Sequence, residues 1–145
     1  MITESVVVKG KLKIELFDEN GKRKDERLVN NQVVHSGKTL IAARIAGELS
    51  APSHMAIGNA NTAVNVSQTT LGYQLGRVAF DTSARTLNTL TYTAIFPGGT
   101  GTGAITEAGI FNASSSGNML CRTNFNVVNK DVTDILLITW QLTIV

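Results

Sequence analysis

The chain has 145 residues, of which 43% are hydrophobic and 17% are charged, and its formal net charge is +2. This length suits one domain with a core large enough to fold without disulfides or metals. The weak net charge excludes a dense basic face for nucleic acid, and no apolar run approaches the roughly 18 residues of a membrane span.

The first predicted element is a β-hairpin. From residue 8 to residue 16 apolar and charged residues alternate with the period of two that is typical of a strand with one buried face. Gly10 interrupts this pattern and predicts a bulge. Asn20 and Gly21 form a strong hairpin-turn signal because both residues tolerate positive φ. The returning strand is expected over residues 24–34.

One short helix is predicted next, near residues 37–47. Ser36 stands at the N-cap position, Ile41 and Ile45 recur at helical spacing, and Gly47 is a C-terminal stop. The helix is short, so tertiary packing must hold it in place.

The rest of the chain predicts strands separated by turns. Further strands are expected at residues 54–57, 77–81, 89–96, 105–111, 118–126 and 136–145. Residues 59–70 form a long polar loop, and loops of that length are usually functional or mobile. With about eight strands and one helix, the predicted fold is mainly β: a single-domain sandwich or jelly-roll-like barrel over residues 1–145.

Motifs for nucleotide binding are incomplete. Gly37, Lys38 and Thr39 match the end of a phosphate-binding P-loop, but the position of its first glycine holds Gln32. The glycine-rich stretch 98–103 lacks the third glycine of a dinucleotide fingerprint and no helix is predicted after it. Both stretches are interpreted as structural.

Groups for catalysis are equally sparse. Two histidines, His35 and His54, and one cysteine, Cys121, do not form a nucleophile with an oriented base, and their spacing does not suit a metal site. We therefore predict no catalytic, cofactor-binding or metal-binding residues, no small-molecule substrate and no enzymatic activity.

The cellular origin is predicted from two features. A single cysteine rules out an internal disulfide and fits a reducing compartment. The first residues lack the basic start and apolar stretch of a signal peptide, so synthesis in a cytoplasm without secretion is expected.

Two charged residues lie in otherwise apolar predicted strands. Arg77 and Glu107 would be costly there unless paired, and an arginine offers a bidentate fork to a carboxylate. The hypothesis is a structural ion pair between Arg77 and Glu107, or contact with a neighbouring subunit. The alternative is that both side chains face solvent.

Five segments carry a resemblance to a known class of protein. They are NNQVVHSGKTLIAARI, MAIGNANTA, LGYQLGR, GTGTGAITEAGIFNASSSGNMLCRTNF and ILLITWQLTIV, in that order. Together they resemble small bacteriophage virion proteins of the head decoration (cement) type, with related tail and fibre modules. The likeness covers residues 30–145, and residues 105–111 are its most specific part. In relatives an acidic residue is expected where this chain has Gln74, and that departure weakens an ion pair made by Arg77 through this position.

The resemblance implies a non-enzymatic role in virion assembly. The function expected from it is decoration of the assembled capsid, with the major capsid protein as partner. A tail, baseplate or fibre component bound to tail proteins is the alternative. The absence of heptads or collagen-like repeats favours decoration over a fibre. A homotrimer on the capsid surface is expected, because shells offer threefold positions, after synthesis in the host bacterial cytoplasm.

Candidate partner contacts come from the N-terminal hairpin, residues 1–34, and from the polar loop. They are Lys11, Lys13, Asn20, Arg23, Asn61 and Asn65. Many modest contacts of this kind would act together through avidity on a repeating shell.

Overall fold

A computed structural model describes residues 4–145, which form ten strands and one helix. In chain order the elements are β1 (Val8–Phe17), β2 (Arg23–Asn30), β3 (Gln32–Val33), α1 (His35–Ile45), β4 (His54–Gly58), β5 (Gln74–Ala79), β6 (Thr82–Thr86), β7 (Thr89–Phe96), β8 (Gly103–Phe111), β9 (Met119–Lys130) and β10 (Ile135–Ile144). The predicted β-sandwich with one short helix is confirmed, with ten strands rather than about eight.

The strands form two antiparallel sheets of five. The first sheet has the order β2-β1-β10-β7-β6, and the second has the order β3-β9-β8-β4-β5. Alternate residues of the first sheet point towards the second sheet. Among them, Leu12 of β1 pairs with Trp140 of β10, and Ile14 pairs with Ile138; all four side chains are buried. Burying each such side chain contributes roughly 1.5–3 kcal/mol, which makes this inter-sheet layer the main source of stability.

The N-terminal hairpin is present, with a different turn from the one predicted. Within this turn Gly21 has positive φ, at 83°, whereas Asn20 does not. The Asp18 carboxylate accepts hydrogen bonds from the backbone N–H groups of Asn20 and Lys22, both at 2.9 Å. The side chain of Asp18 therefore closes the turn, a role that short acidic residues commonly take.

Gly10 does not form the predicted bulge. The β1–β10 register runs unbroken through it, and the irregularity of the hairpin lies between Leu16 and Phe17. A Cβ at Gly10 would lie 1.5 Å from Oδ1 of Asn31. Glycine is needed here because the Asn31 side chain occupies the space, and its Oδ1 accepts a hydrogen bond from Nε1 of Trp140 at 3.2 Å.

The helix begins two residues earlier than predicted. It follows extended Val34, and no side chain caps it. Ser36, the predicted N-cap, donates its hydroxyl hydrogen bond to the carbonyl of Met119 at 2.6 Å instead. Gly47 does act as the stop, since it has φ of 77° and its N–H donates to the carbonyl of Arg44.

Sequence reasoning missed β6, and it predicted one strand over residues 24–34 where the structure has two, β2 in the first sheet and β3 in the second. All five residues of β6 are exposed, so this strand carries no apolar alternation that could reveal it. β3 has only two residues. The strand expected at residues 77–81 is β5, and it begins three residues earlier, at Gln74.

The middle of the second sheet, at β4 and β8, is buried on both faces. In β8 seven consecutive residues, Ile105–Phe111, are buried. The inner face packs on the first sheet. The outer face lies under residues 59–73, which contain no helix or strand. Leu71 of this segment joins an apolar cluster with Val34, Ala56, Phe111 and Met119. The segment thus acts as a cover, which we call the 59–73 loop.

Candidate functional site

A buried ion pair lies under the 59–73 loop. Glu107 on β8 and Arg122 on β9 both have side chains that are 0% exposed. Oε1 of Glu107 accepts hydrogen bonds from Nε of Arg122 at 3.1 Å and from Nη2 at 3.0 Å. Two N–H groups of the guanidinium therefore converge on one carboxylate oxygen, and such hydrogen bonds between charged groups are roughly twice as strong as bonds between neutral groups.

The Glu107 carboxylate also holds three backbone groups of the loop. Oε1 accepts from the N–H of Gly72 at 2.7 Å, while Oε2 accepts from the N–H groups of Ala60 at 3.0 Å and Tyr73 at 2.8 Å. One carboxylate therefore accepts five hydrogen bonds and ties both ends of the loop to the sheet.

The Arg122 guanidinium holds the middle of the same loop. Nη2 donates to the carbonyl of Thr62 at 2.9 Å, and Nη1 donates to Oε1 of Gln68 at 3.1 Å. Thr106 adds a further tie through its hydroxyl to the carbonyl of Ala60. We call Glu107 and Arg122 the loop clamp, because together they satisfy backbone groups that lack secondary-structure partners.

The predicted ion pair between Arg77 and Glu107 is wrong. The Arg77 guanidinium lies 3.7 Å from the ring centroid of Phe111 and donates to the carbonyls of Ala113 and Ser116. Its remaining nitrogens donate to Oε1 of Gln74 at 2.9 and 3.0 Å. Burial lowers the pKa of Arg77.

Strand register explains why Glu107 pairs with Arg122 and not with Arg77. Arg77 pairs with Ala56, Ala56 pairs with Gly109, and Gly109 pairs with Arg122. The two arginines therefore lie in one row across the sheet, with β4 and β8 between them. Glu107 is on β8, beside the strand of Arg122, whereas β4 separates it from the strand of Arg77.

Close packing against the 59–73 loop requires glycine in β4. A Cβ at Gly58 would lie 2.1 Å from the carbonyl oxygen of Tyr73 and 2.6 Å from Oε2 of Glu107. A contact below 3.0 Å forces one of the atoms to move, and that movement is costly when the neighbour is backbone. Gly58, in the segment MAIGNANTA, thus lets the 59–73 loop approach Glu107 closely.

The predicted partner contacts do not lie together. The hairpin residues among them are Lys11, Lys13, Asn20 and Arg23, on the first sheet and its turn. Lys13 and Arg23 are engaged in exposed salt bridges with Glu15 and Glu26. Asn61 and Asn65 are exposed on the 59–73 loop, beyond the outer face of the second sheet. The two groups therefore occupy opposite faces of the sandwich, and their contact with a partner stays a prediction.

The nucleophilic and basic groups are held in structural positions. Burial raises the pKa of the Cys121 thiol, which disfavours the reactive thiolate. His54 accepts or donates one hydrogen bond with the Ser53 hydroxyl at 2.7 Å, and burial together with nearby Arg77 lowers the pKa of His54. Within residues 4–145 no cluster of three His, Cys, Asp or Glu side chains could hold a metal ion. The helix described here is too short and too polar to cross a membrane.

A second candidate site is an apolar surface that sequence reasoning missed. Exposed aliphatic side chains gather where β1 begins, β10 ends and α1 closes the sandwich. This surface, the apolar end face, consists of the exposed residues Val6, Val7, Ile45, Ile144 and Val145 together with the half-buried Ile41. Ile45 is 85% exposed and Val6 is 77% exposed. The backbone of Val7 pairs with that of Val145 at 2.7 and 2.9 Å, which joins the two strand ends.

Large contiguous apolar patches on soluble proteins mark interaction sites, whereas single exposed residues do not. One sequence signal pointed to this face: Ile41 and Ile45 are one helical turn apart, and that spacing predicts a shared face. The helical spacing could not indicate that the side chain of Ile45 stays exposed to solvent.

No family model, curated protein or solved structure matches this chain.

Proposed function

We propose that this chain is a non-enzymatic structural protein of a bacteriophage virion. In this proposal it decorates the assembled capsid, binds the major capsid protein and stabilises the shell through protein–protein contacts. The segments that resemble virion proteins support it: Gly58 comes from one of them, Glu107 and Arg122 come from another, and all three residues meet at the loop clamp. The charges of the clamp hold backbone groups of the 59–73 loop. The two segments therefore support a shared fold and not a shared catalytic site.

The observation that carries the proposal is the apolar end face. A protein that works by binding needs an exposed surface whose burial stabilises a complex, and exposed apolar area supplies that free energy at roughly 25 cal/mol per Å². The interior charges of Glu107 and Arg122 are paired with each other, and the thiol of Cys121 is buried. The apolar end face, in contrast, is exposed and is suited to binding a partner protein.

Avidity supports the decoration role over a single tight contact. A shell presents the same site many times, so an oligomer gains far more than one copy does. A homotrimer on the threefold positions of the capsid, at the virion surface, is therefore the assembly that we propose.

The test is addition of the purified protein to undecorated capsids of the phage whose genome encodes it. We expect saturable co-sedimentation at a fixed ratio to the major capsid protein, and a higher melting temperature of the decorated shells. Isolated tails of the same phage are the comparison. Binding to tails but not to capsids would overturn decoration and favour a tail, baseplate or fibre component, and binding to neither would reject a virion role.

A further inference from the structure

The apolar end face contains two open grooves on either side of one ridge. Ile41 and Ile45 form the ridge and line both grooves. The larger groove, of about 880 Å³, lies between the start of β1 and α1. The smaller groove, of about 330 Å³, lies between α1, the start of β7 and the end of β10. Leu90 of β7 and Ile144 of β10 line it. Volumes of this size accept several inserted side chains.

The charge around the grooves has one sign. Lys9 and Lys38 line the larger groove and Arg44 lines the smaller, whereas no Asp or Glu of the described chain lines either one. None of these three cations forms a salt bridge within the described chain, whereas Lys13 and Arg23 on the first sheet are paired with glutamates. The end face is therefore apolar at its centre and cationic at its rim, and charge complementarity selects an anionic partner.

We propose that the apolar end face docks an acidic, apolar segment of a partner protein, with aliphatic side chains in the grooves and carboxylates at the cationic rim. This inference rests on the proposed function, since it locates the contact with the shell. The concave shape favours inserted side chains over a flat lipid surface. A second copy is disfavoured, because two end faces placed together would bring Lys9, Lys38 and Arg44 against like charges.

The probe is a pair of fluorescent synthetic peptides of equal length. Both carry leucines at helical spacing, and the remaining positions are glutamate in one peptide and lysine in the other. Fluorescence anisotropy with the full chain should give saturable binding of the glutamate peptide, at least about tenfold tighter than binding of the lysine peptide. Equal binding of both peptides, or no binding, would overturn the proposal.

Matched variants locate the contact. Ile45→Glu places a carboxylate on the ridge, and Leu28→Glu is the control, because Leu28 on β2 is similarly exposed, 79% against 85%. Both substitutions are on the surface, so both variants should fold. We expect Ile45→Glu to weaken binding of the glutamate peptide by at least about tenfold and Leu28→Glu to leave it unchanged. Similar losses in both variants would contradict docking at this face.

Two further measurements separate the remaining outcomes. Flotation with phosphatidylglycerol vesicles tests lipid as the occupant, and vesicle binding that Ile45→Glu abolishes would overturn the protein partner. Capsid binding by wild type that Ile45→Glu leaves intact would reject the end face but keep the decoration role. Peptide binding without any capsid binding would reject the decoration role alone.

Discussion

The loop clamp makes Glu107→Gln the most informative single substitution. Glutamine has the shape of glutamate but replaces one acceptor oxygen by an N–H₂ donor. If the amide nitrogen takes the place of Oε2, it faces the N–H groups of Ala60 and Tyr73. If it takes the place of Oε1, it faces the N–H of Gly72 and the guanidinium of Arg122. Either orientation opposes donors to donors.

The magnitude follows from burial. Both members of the pair are 0% exposed, so the substitution leaves the Arg122 charge in the interior without its counter-charge. Removing one partner of a buried pair costs about 3–5 kcal/mol. We expect the free energy of unfolding of Glu107→Gln to fall by that amount, and the melting temperature to fall by on the order of 10 °C.

The assay is urea unfolding followed by fluorescence of Trp140, the one tryptophan, which is fully buried. The matched control is Glu26→Gln, whose carboxylate pairs with Lys13 and Arg23 at the surface with a 35% exposed side chain. Surface pairs contribute about 0–1 kcal/mol, so the control should remain near wild type. A loss in Glu107→Gln of less than about 1 kcal/mol would refute the clamp.

Hydrogen exchange separates local from global effects of the same substitution. The amides of Ala60, Gly72 and Tyr73 donate to the carboxylate, so they should lose protection even under conditions where Trp140 stays buried. Retained protection of these three amides in Glu107→Gln would show that the loop is held by something else.

Three further predictions concern pH, packing and reactivity. The Lys24 ammonium lowers the pKa of Asp134 below its ordinary value of 3.8, through a hydrogen bond of 2.7 Å. Since a lowered folded-state pKa gives stability that is full above the unfolded value and lost as pH falls, the stability difference between wild type and Asp134→Asn should shrink between about pH 5 and about pH 2 in urea titrations. Gly37→Ala should destabilise by about 1–3 kcal/mol in thermal unfolding, although alanine favours helices, because its Cβ would lie 1.9 Å from the carbonyl oxygen of Leu120. Cys121, buried and with a raised thiol pKa, should react with a thiol reagent such as iodoacetamide only after unfolding.

Each of these has a clear contrary result. A stability difference for Asp134→Asn that is constant across the titration would contradict the Lys24 contact. Gly37→Ala should be compared with Lys38→Ala at the next, exposed helix position; if both are as stable as wild type, the close approach of α1 to β9 is wrong. Labelling of folded protein at the rate of unfolded protein would contradict the burial of Cys121.

Period-two patterns identified the strands that bury one face. Residues 8–16, 89–96 and 136–145 alternate cleanly, and they form the centre of the first sheet as β1, β7 and β10. The pattern is visible because one side of each strand faces water and the other faces the core. β6 was missed for the same reason, since none of its residues is buried.

The mainly β class, the N-terminal hairpin and the single helix could be predicted from the sequence alone, because alternation, turn residues and helical spacing involve neighbouring positions. The choice between a sandwich and a jelly-roll-like barrel depended on the pairing of distant strands into two sheets. The sequence also indicated that Glu107 needs a partner, since an unpaired carboxylate in an apolar strand is costly. That the partner is Arg122 rather than Arg77 required knowledge of the folded chain, because strand order and register set which side chains meet. The tertiary structure likewise decided that Ile45 is uncovered, because exposure at the end of a sandwich depends on every element that could have reached it.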